Sequence, residues 1–353
     1  MNKIARHGWS VLVGMALTLL ALELVLRCLP LIDVHSADPR ADWPIRTWVP
    51  HVRYTHSTGW ALHNVRHGTV NDYGYISPFD YRGLTHGVAV FGDSFVESLM
   101  NDYSEALAGV LGQLLGPRRP VMNFGISNSA MAHYLGSAPL IAGRFHPDAA
   151  VVVIGVNDFS SSFSRQPGRF SWAQGAKFPV ELTPERRTSA TARLLRSLAL
   201  TRYVRGSLRM SQRTLFRKQE AAAEAAPACR DESLSAQDRA LIATFVERFG
   251  SALGVAPERV VLVFDSDRQS IYQGKPPQGA CATRDLLANQ LLAALARRAG
   301  YHVVDTKPIF SEYYARTRRQ VDYLPEDGHW NAEGHKLVAQ RVACILRAEL
   351  QAR

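Results

Sequence analysis

The sequence predicts an α/β protein built on a parallel sheet with helices on both faces. Three observations lead there. From about residue 87 onward, short apolar runs alternate with helical patterns, and that alternation makes parallel sheets. The run AAVVVIGVND (149–158) is almost purely apolar and β-branched, as a strand buried on both faces must be. Small polar motifs end three of these runs, at the sheet edge where parallel sheets place their sites.

The elements follow in order. Trp9 to Leu26 is an 18-residue apolar stretch interrupted only by Glu23. As a helix it is about 27 Å long, close to the hydrocarbon thickness of a bilayer. Lys3 and Arg6 precede it, which favours an inside N-terminus and an outside C-terminus. A cleaved signal peptide would need small residues at a cleavage site, and LRCLPLIDVH offers none. A core helix of a soluble domain is a third reading. Glu23 stands near the outer end, where it can reach the interface. We therefore expect a signal anchor over residues 1–32, with the bilayer contacted through residues 9–26. Residues 33–86, rich in aromatics and glycine, form a lead that packs on the following domain without an evident chemical role.

GVAVFGDS opens the alternating region as a strand. SEALAGVLGQLLG (104–116) follows as a helix stopped by Gly116-Pro117, and PVMNFG (120–125) as a strand. The stretch 131–145 is helical and 149–158 is the third strand. RVVLVFDSD (259–267) and YHVVDT (301–306) are the fourth and fifth strands, and further helices cover 235–252, 283–298 and 332–350. An insertion, 159–234, separates the third and fourth strands. Within it, residues 186–218 hold ten Lys/Arg and no Asp or Glu, interspersed with Leu at roughly helical intervals. This is either a solvated basic face or a helix lying near anionic headgroups or over the site. EAAAEAAPA (220–228) reads as a helix tail or linker.

The formal charge is +10, but no nucleic-acid motif accompanies it and the anchor directs the domain away from the cytosol, so no nucleic-acid partner is expected. None of the four cysteines forms a C-x-x-C pair, which argues against a zinc or redox site. Arg27 before Cys28 does not suit a lipoprotein cleavage site. Outside the cytosol Cys229 and Cys281 can pair; the alternative is four free thiols.

Gly92-Asp93-Ser94, Asn123-Phe124-Gly125 and Gly155-Val156-Asn157-Asp158 are the three motifs at strand ends. Any one is ordinary turn chemistry; three at the same edge point to a site. Ser94 is not in a G-x-S-x-G elbow, because position 96 is Val. A serine nucleophile still needs a base and an orienting carboxylate. LPEDGHWNAEGHKLVAQRV (324–342) supplies them: His329 follows Glu326 and Asp327, and Asn331 can cap the last helix. Residues two apart in an extended segment share a side, which favours Asp327 over Glu326. Oxyanion donors are available from the Ser94 and Gly125 amides and the Asn157 side chain. His335, Asp93 and Asp158 read as supports, and Asp267 and Arg268 carry no assignable role.

These four blocks, in this order, resemble the SGNH or GDSL hydrolase family over roughly residues 87–350. The resemblance implies a three-layer α/β/α, flavodoxin-like fold over 87–353. It also implies a Ser-His-Asp triad of Ser94, His329 and Asp327, with an oxyanion hole from Ser94, Gly125 and Asn157. The family's last block is usually D-x-x-H, a spacing that here gives Glu326 as the alternative carboxylate. The D-x-H-W-N form looks like the membrane-tethered, polysaccharide-modifying branch. The expectation is a single-pass protein of the cytoplasmic membrane, facing the periplasm or exterior. It would be an esterase that removes acyl groups, acetyl above all, from envelope carbohydrate without metal or organic cofactor. A carbohydrate O-acyltransferase uses the same apparatus, and a non-catalytic scaffold is the reading from another class.

Overall fold

The computed structural model describes residues 3–37, 39–40, 42–173, 180–183, 189–208, 232–275 and 279–351. The stretch 220–228, Cys229 and residues 209–218 of the basic segment lie outside them. Cys281 takes part in a disulfide, and Cys28 and Cys344 are free. The chain divides into two compact units. One comprises Met1–Val34, Tyr54–His67 and Arg187–Glu220, and the other comprises His35–Arg53, Gly68–Arg186 and Ala221–Arg353.

The larger unit is the α/β body. Its parallel sheet has five strands: β1 (Val88–Phe91), β2 (Val121–Asn123), β3 (Ala149–Ile154), β4 (Val260–Phe264) and β5 (His302–Asp305). Their spatial order is β2-β1-β3-β4-β5, the flavodoxin-like order. The chain leaves β1 outward to β2 and then returns past β1 to β3. The crevice at that reversal, beyond the C-terminal ends of β1 and β3, is where such sheets hold their sites. Gly92-Asp93-Ser94 follows β1 directly and Gly155-Val156-Asn157 follows β3.

Alternation along the strands sends side chains to two separate cores. Ala89, Phe91, Val152, Ile154, Leu262 and Phe264 belong to one. It also takes Leu135 and Ile141 from helix α1 (Met131–Phe145), Phe245 and Phe249 from α2 (Ala236–Leu253) and Leu292 from α3 (Ala280–Arg298). Val88, Val90, Val151, Val153, Val261 and Val304 face the other core. They meet Leu107 and Leu111 from Leu107–Leu115, Phe310 from Thr306–Thr317, and Val342 and Leu346 from Ala332–Gln351. Every residue of β3 is buried, as its apolar run requires. Burying each such Val or Ile contributes roughly 1.5–3 kcal/mol. The first core extends into the stretch before the sheet, where Trp43, Tyr73, Tyr75, Tyr81, Phe124 and Phe145 interlock mainly edge to face.

Thr306–Thr317 was not legible as a helix. Its Pro308 sits in the first turn, where the amide has no intrahelical partner to lose. Asp305 caps it by accepting from the Lys307 N–H at 2.9 Å.

The smaller unit contains the helix Lys3–Arg27, whose residues 9–27 are long and apolar enough to cross a membrane by length and composition. Glu23 has a defined set of partners. Its two carboxylate oxygens accept the Ala199 and Leu200 N–H groups, each at 2.9 Å, and Arg27 Nε donates to it at 2.8 Å. The carboxylate thus caps the short helix Ala199–Arg202 of the basic insertion. Arg202 pairs with Asp33 at 2.8 Å. Within the described residues of the insertion, Ala190–Ser197 and 199–207 are helical.

Candidate active site

β1 ends in a turn that starts a four-residue helix, Ser94–Glu97, capped by Asp93, whose Oδ1 accepts from the Phe95 N–H at 2.9 Å. Ser94 is therefore the first residue of that turn, and its own N–H has no intrahelical acceptor. Gly92 permits the tight exit: a Cβ there would lie 2.3 Å from Val96 Cγ2.

His329 lies on the two-stranded hairpin Asp322–Tyr323/Asp327–Trp330. Asn331 ends the hairpin and caps the last helix, accepting from Glu333 and Gly334 N–H at 3.0 and 3.1 Å. The His329 Nε2 atom is 2.7 Å from Ser94 Oγ. Its Nδ1 meets Asp327 Oδ1, and the same oxygen accepts the His329 backbone N–H at 3.0 Å. Asp327 is buried and Glu326 is exposed, the outcome that an extended segment dictates. The Phe95 ring lies against the imidazole, with centroids 4.9 Å apart.

Arg268, a loop residue without an assignable role in the sequence, holds this hairpin. It is buried; Nη2 donates to the Gly328 carbonyl at 2.6 Å, and Nε lies 3.0 Å from Asp322. Nη1 donates to Asp265, which also accepts Trp330 Nε1–H at 2.9 Å, and the guanidinium lies over Phe95 at 5.1 Å. Its charge is therefore matched by two carboxylates in a buried network, where removing one member costs about 3–5 kcal/mol. Nothing in the local sequence marks Arg268 as the clamp of this hairpin, because the hairpin residues it holds, Asp322 and Gly328, are 54 and 60 residues away.

Gly125 packs on the nucleophile turn. A Cβ there would fall 2.3 Å from Glu97 N and 2.6 Å from Val96 C, so the close approach that demands glycine is to protein backbone. Its N–H donates to Asn123 Oδ1 at 2.8 Å. Asn123, fully buried, in turn donates to the carbonyls of Ile76 and Val96 at 3.2 and 3.0 Å. Asn157 is exposed and donates one Nδ2–H to Ser161 Oγ at 3.2 Å; an amide has a second N–H. The loop that carries it is held from α3. Asp285 accepts Ser160 N–H at 2.8 Å, and Asn289 donates to the Gly155 carbonyl at 3.3 Å.

Two buried carboxyls lie beneath the site. Burial pushes Asp93 up to about 6. Burial and the Asp93 charge hold Asp158 well above the usual carboxylate range. His335 is also buried. It accepts the Leu107 N–H at Nδ1 and faces Ser98 Oγ through Nε2, each at 3.1 Å, so its proton is on Nε2. Among the described residues, no group of three or more His, Cys, Asp or Glu side chains is placed to share a metal ion.

The lead before the sheet reaches this region too. Trp48 Nε1 donates to Glu97 Oε1 at 2.7 Å. Ser127, two residues after Gly125, binds the same carboxylate through its N–H at 3.2 Å and through its hydroxyl. Glu97 is the last residue of the Ser94 turn. Trp48 and Ser127 line a cavity of about 190 Å³ with Arg46, Arg169 and Asn128.

A nucleophile-type serine at the switch point of a 2-1-3-4-5 sheet, within reach of a hairpin histidine, defines a class of α/β ester hydrolase. The chain belongs to the GDSL-like Lipase/Acylhydrolase family, whose model matches residues 90–337, and is an ester-hydrolysing enzyme of that family. No curated protein sequence matches it. Among solved structures it is similar to Est24, a carbohydrate acetylesterase from Sinorhizobium meliloti. That likeness has 14% identity, covers 75% of this chain and 100% of that one, and has a TM-score of 0.39. It is also similar to the native M. smegmatis aryl esterase, at 15% identity over 75% of this chain and 99% of that one, with a TM-score of 0.35.

Proposed function

We propose that the protein is a membrane-anchored serine esterase that removes acyl groups, acetyl foremost, from envelope carbohydrate through Ser94, His329 and Asp327. The observation that carries the chemistry is the continuous chain Ser94 Oγ, His329 Nε2, His329 Nδ1, Asp327 Oδ1, with 2.7 Å at its first link. Ser94 Oγ attacks the ester carbonyl carbon while its proton passes to His329 Nε2. Asp327 accepts from Nδ1–H, fixes the tautomer and stabilises the imidazolium. Negative charge gathers on the carbonyl oxygen, where the Ser94 N–H and the second Asn157 Nδ2–H donate. The Gly125 N–H, the third donor that the family resemblance implies, is held by Asn123 Oδ1 at 2.8 Å beside them. His329 then gives its proton to the departing sugar oxygen, leaving an acyl-serine. Water, deprotonated by His329, releases the acid.

The anchor reading rests on the exposed apolar helix and on the placement of Glu23. Its carboxylate is satisfied by two backbone amides and Arg27 at the end of the span. Lys3 and Arg6 ahead of the span favour an outward-facing domain, and the Cys281 disulfide suits an oxidising compartment.

The test is turnover of 4-nitrophenyl acetate by the purified full chain and by Ser94→Ala. The variant removes one hydroxyl and no core volume, so it should fold normally and lose turnover by about 10³-fold or more. Activity retained in a folded variant removes Ser94 from the mechanism.

A further inference from the structure

The smaller unit, made of Met1–Val34, Tyr54–His67 and Arg187–Glu220, surrounds one end of its apolar helix. Leu26 is buried there with Leu31 and Ala199, and Leu62, Leu200 and Tyr203 pack against them. Leu62 belongs to the turn 59–62 that joins the paired strands Arg53–Thr58 and His63–Thr69. Tyr203 Oη donates to the Trp60 carbonyl at 3.0 Å, so that turn is tied to the insertion as well as to the helix. Glu23, which holds the Ala199 and Leu200 N–H groups, lies about 6 Å along the axis from the last helical residue, Arg27. The turn and the insertion therefore meet the apolar helix at one level, its C-terminal end.

Around that level large apolar side chains stand bare. Trp60, in the turn, is 73% exposed, and Leu194 and Leu195 are 65% and 56% exposed. The two leucines lie on the helix Ala190–Ser197, which runs through Leu198 straight into the residues that Glu23 holds. At 3.6 residues per turn Leu194, Leu195 and Leu198 share one side, and the exposed Arg196 stands on the other. The whole stretch 186–218 carries ten Lys/Arg and no carboxylate. A basic amphipathic helix beside an exposed indole suits the boundary between lipid headgroups and acyl chains. Leucine enters the acyl region, cations meet headgroup phosphate and the indole sits at the boundary itself. Continuity favours lipid over a protein groove as the occupant, because exposed Leu24, Val25 and Leu29 of the apolar segment flank buried Leu26 at the same level.

We propose that Trp60 and the helix Ala190–Ser197 form an interfacial collar, seated in the bilayer surface where the span leaves it. The chain is then held twice, by the span and by a surface contact around its end. The proposal deepens the membrane-anchored reading and rests on it. The physical link is Glu23: a carboxylate on the span fixes the start of Ala199–Arg202, and so sets the depth of the helix that precedes it.

The experiment is tryptophan fluorescence of the full chain in phospholipid nanodiscs, with and without lipid brominated near the headgroup end of its acyl chains, which quenches a neighbouring indole. Wild-type emission minus that of Trp60→Phe reports Trp60, and wild-type emission minus that of Trp9→Phe reports the span. Leu195→Trp emission minus wild type reports the helix. Positions 60 and 195 are exposed, so both collar variants should fold, which circular dichroism checks. Bromine should remove about half of the Trp60 signal and of the position-195 signal, the behaviour of rings at the headgroup boundary. Quenched Trp9 with either collar probe unquenched overturns the collar and leaves the span. Unquenched Trp9 removes the span and the collar with it. Ester turnover, measured on the same discs with 4-nitrophenyl acetate, is a separate outcome.

Discussion

Asp327 and Glu326 are neighbours with opposite surroundings, and the pleat of one short strand separates them. Asp327 is buried beside His329 Nδ1 and Glu326 is exposed. Asp327→Asn should lower kcat by about 10⁴-fold, the loss the same change produces in serine proteases, whereas Glu326→Gln should stay within about threefold. Both are measured at neutral pH with folding checked by circular dichroism; a larger loss in Glu326→Gln moves the orienting role to Glu326. The choice between them was legible because a period-two argument needs only local backbone geometry. Gly125 was expected to let substrate approach the backbone; in the structure the close approach is to protein. Its missing Cβ makes room for the backbone of residues 96 and 97, a contact that exists only once two strands are side by side. The hold of Arg268 on the histidine's hairpin was not assignable, because Asp322 and Gly328 lie far away in sequence and an arginine after a strand carries no signal of that.

At the scale of elements, the strands were readable and the partners of their supports were not. A strand buried on both faces leaves a continuous apolar run, as 149–154 does, and the polar residue that ends it stands out. What a support holds lacks such a mark. His335 reads as a structural histidine of the last helix; in the fold it is a fully buried post between that helix and the start of Leu107–Leu115. Burial pushes its imidazole down to about 3, against about 6.5 in an unfolded chain. The unfolded state therefore takes up a proton that the folded state refuses. Stability from this group is intact above about pH 6.5 and falls as the pH drops toward 3, by about 1.4 kcal/mol per pH unit. His335→Gln lacks that loss. Urea unfolding at about pH 7.5 and about pH 5 should show the wild-type advantage over the variant narrowing on acidification; an unchanged gap would mean that the folded state accepts the charge. The 33–86 lead marks the limit of pattern reading. Its aromatics and glycines name no partner, and Trp48 meets Glu97, 49 residues on, only in the fold.

At the scale of the whole molecule, one chain carries a helix long and apolar enough to cross a membrane, a basic insertion and a hydrolase body. A helix long and apolar enough to cross a membrane was legible from length and composition, and Lys3 and Arg6 carry the expectation of an inside N-terminus. Glu23 looked like a liability in that helix until its partners in the insertion were seen. A fusion of alkaline phosphatase after residue 60 should be active in cells, since that reporter needs an oxidising compartment; activity only from a cytoplasmic reporter at the same position would reverse the topology and remove the envelope substrate. The claim on which everything else depends is that one serine, held at the switch point of the sheet, is the nucleophile. Labelling of the intact full-length protein with a fluorophosphonate, followed by peptide mass spectrometry, tests it most directly. The account predicts a single adduct on Ser94, absent from Ser94→Ala and slowed in Asp327→Asn. An adduct on another serine, or equal labelling of Ser94→Ala, would contradict it.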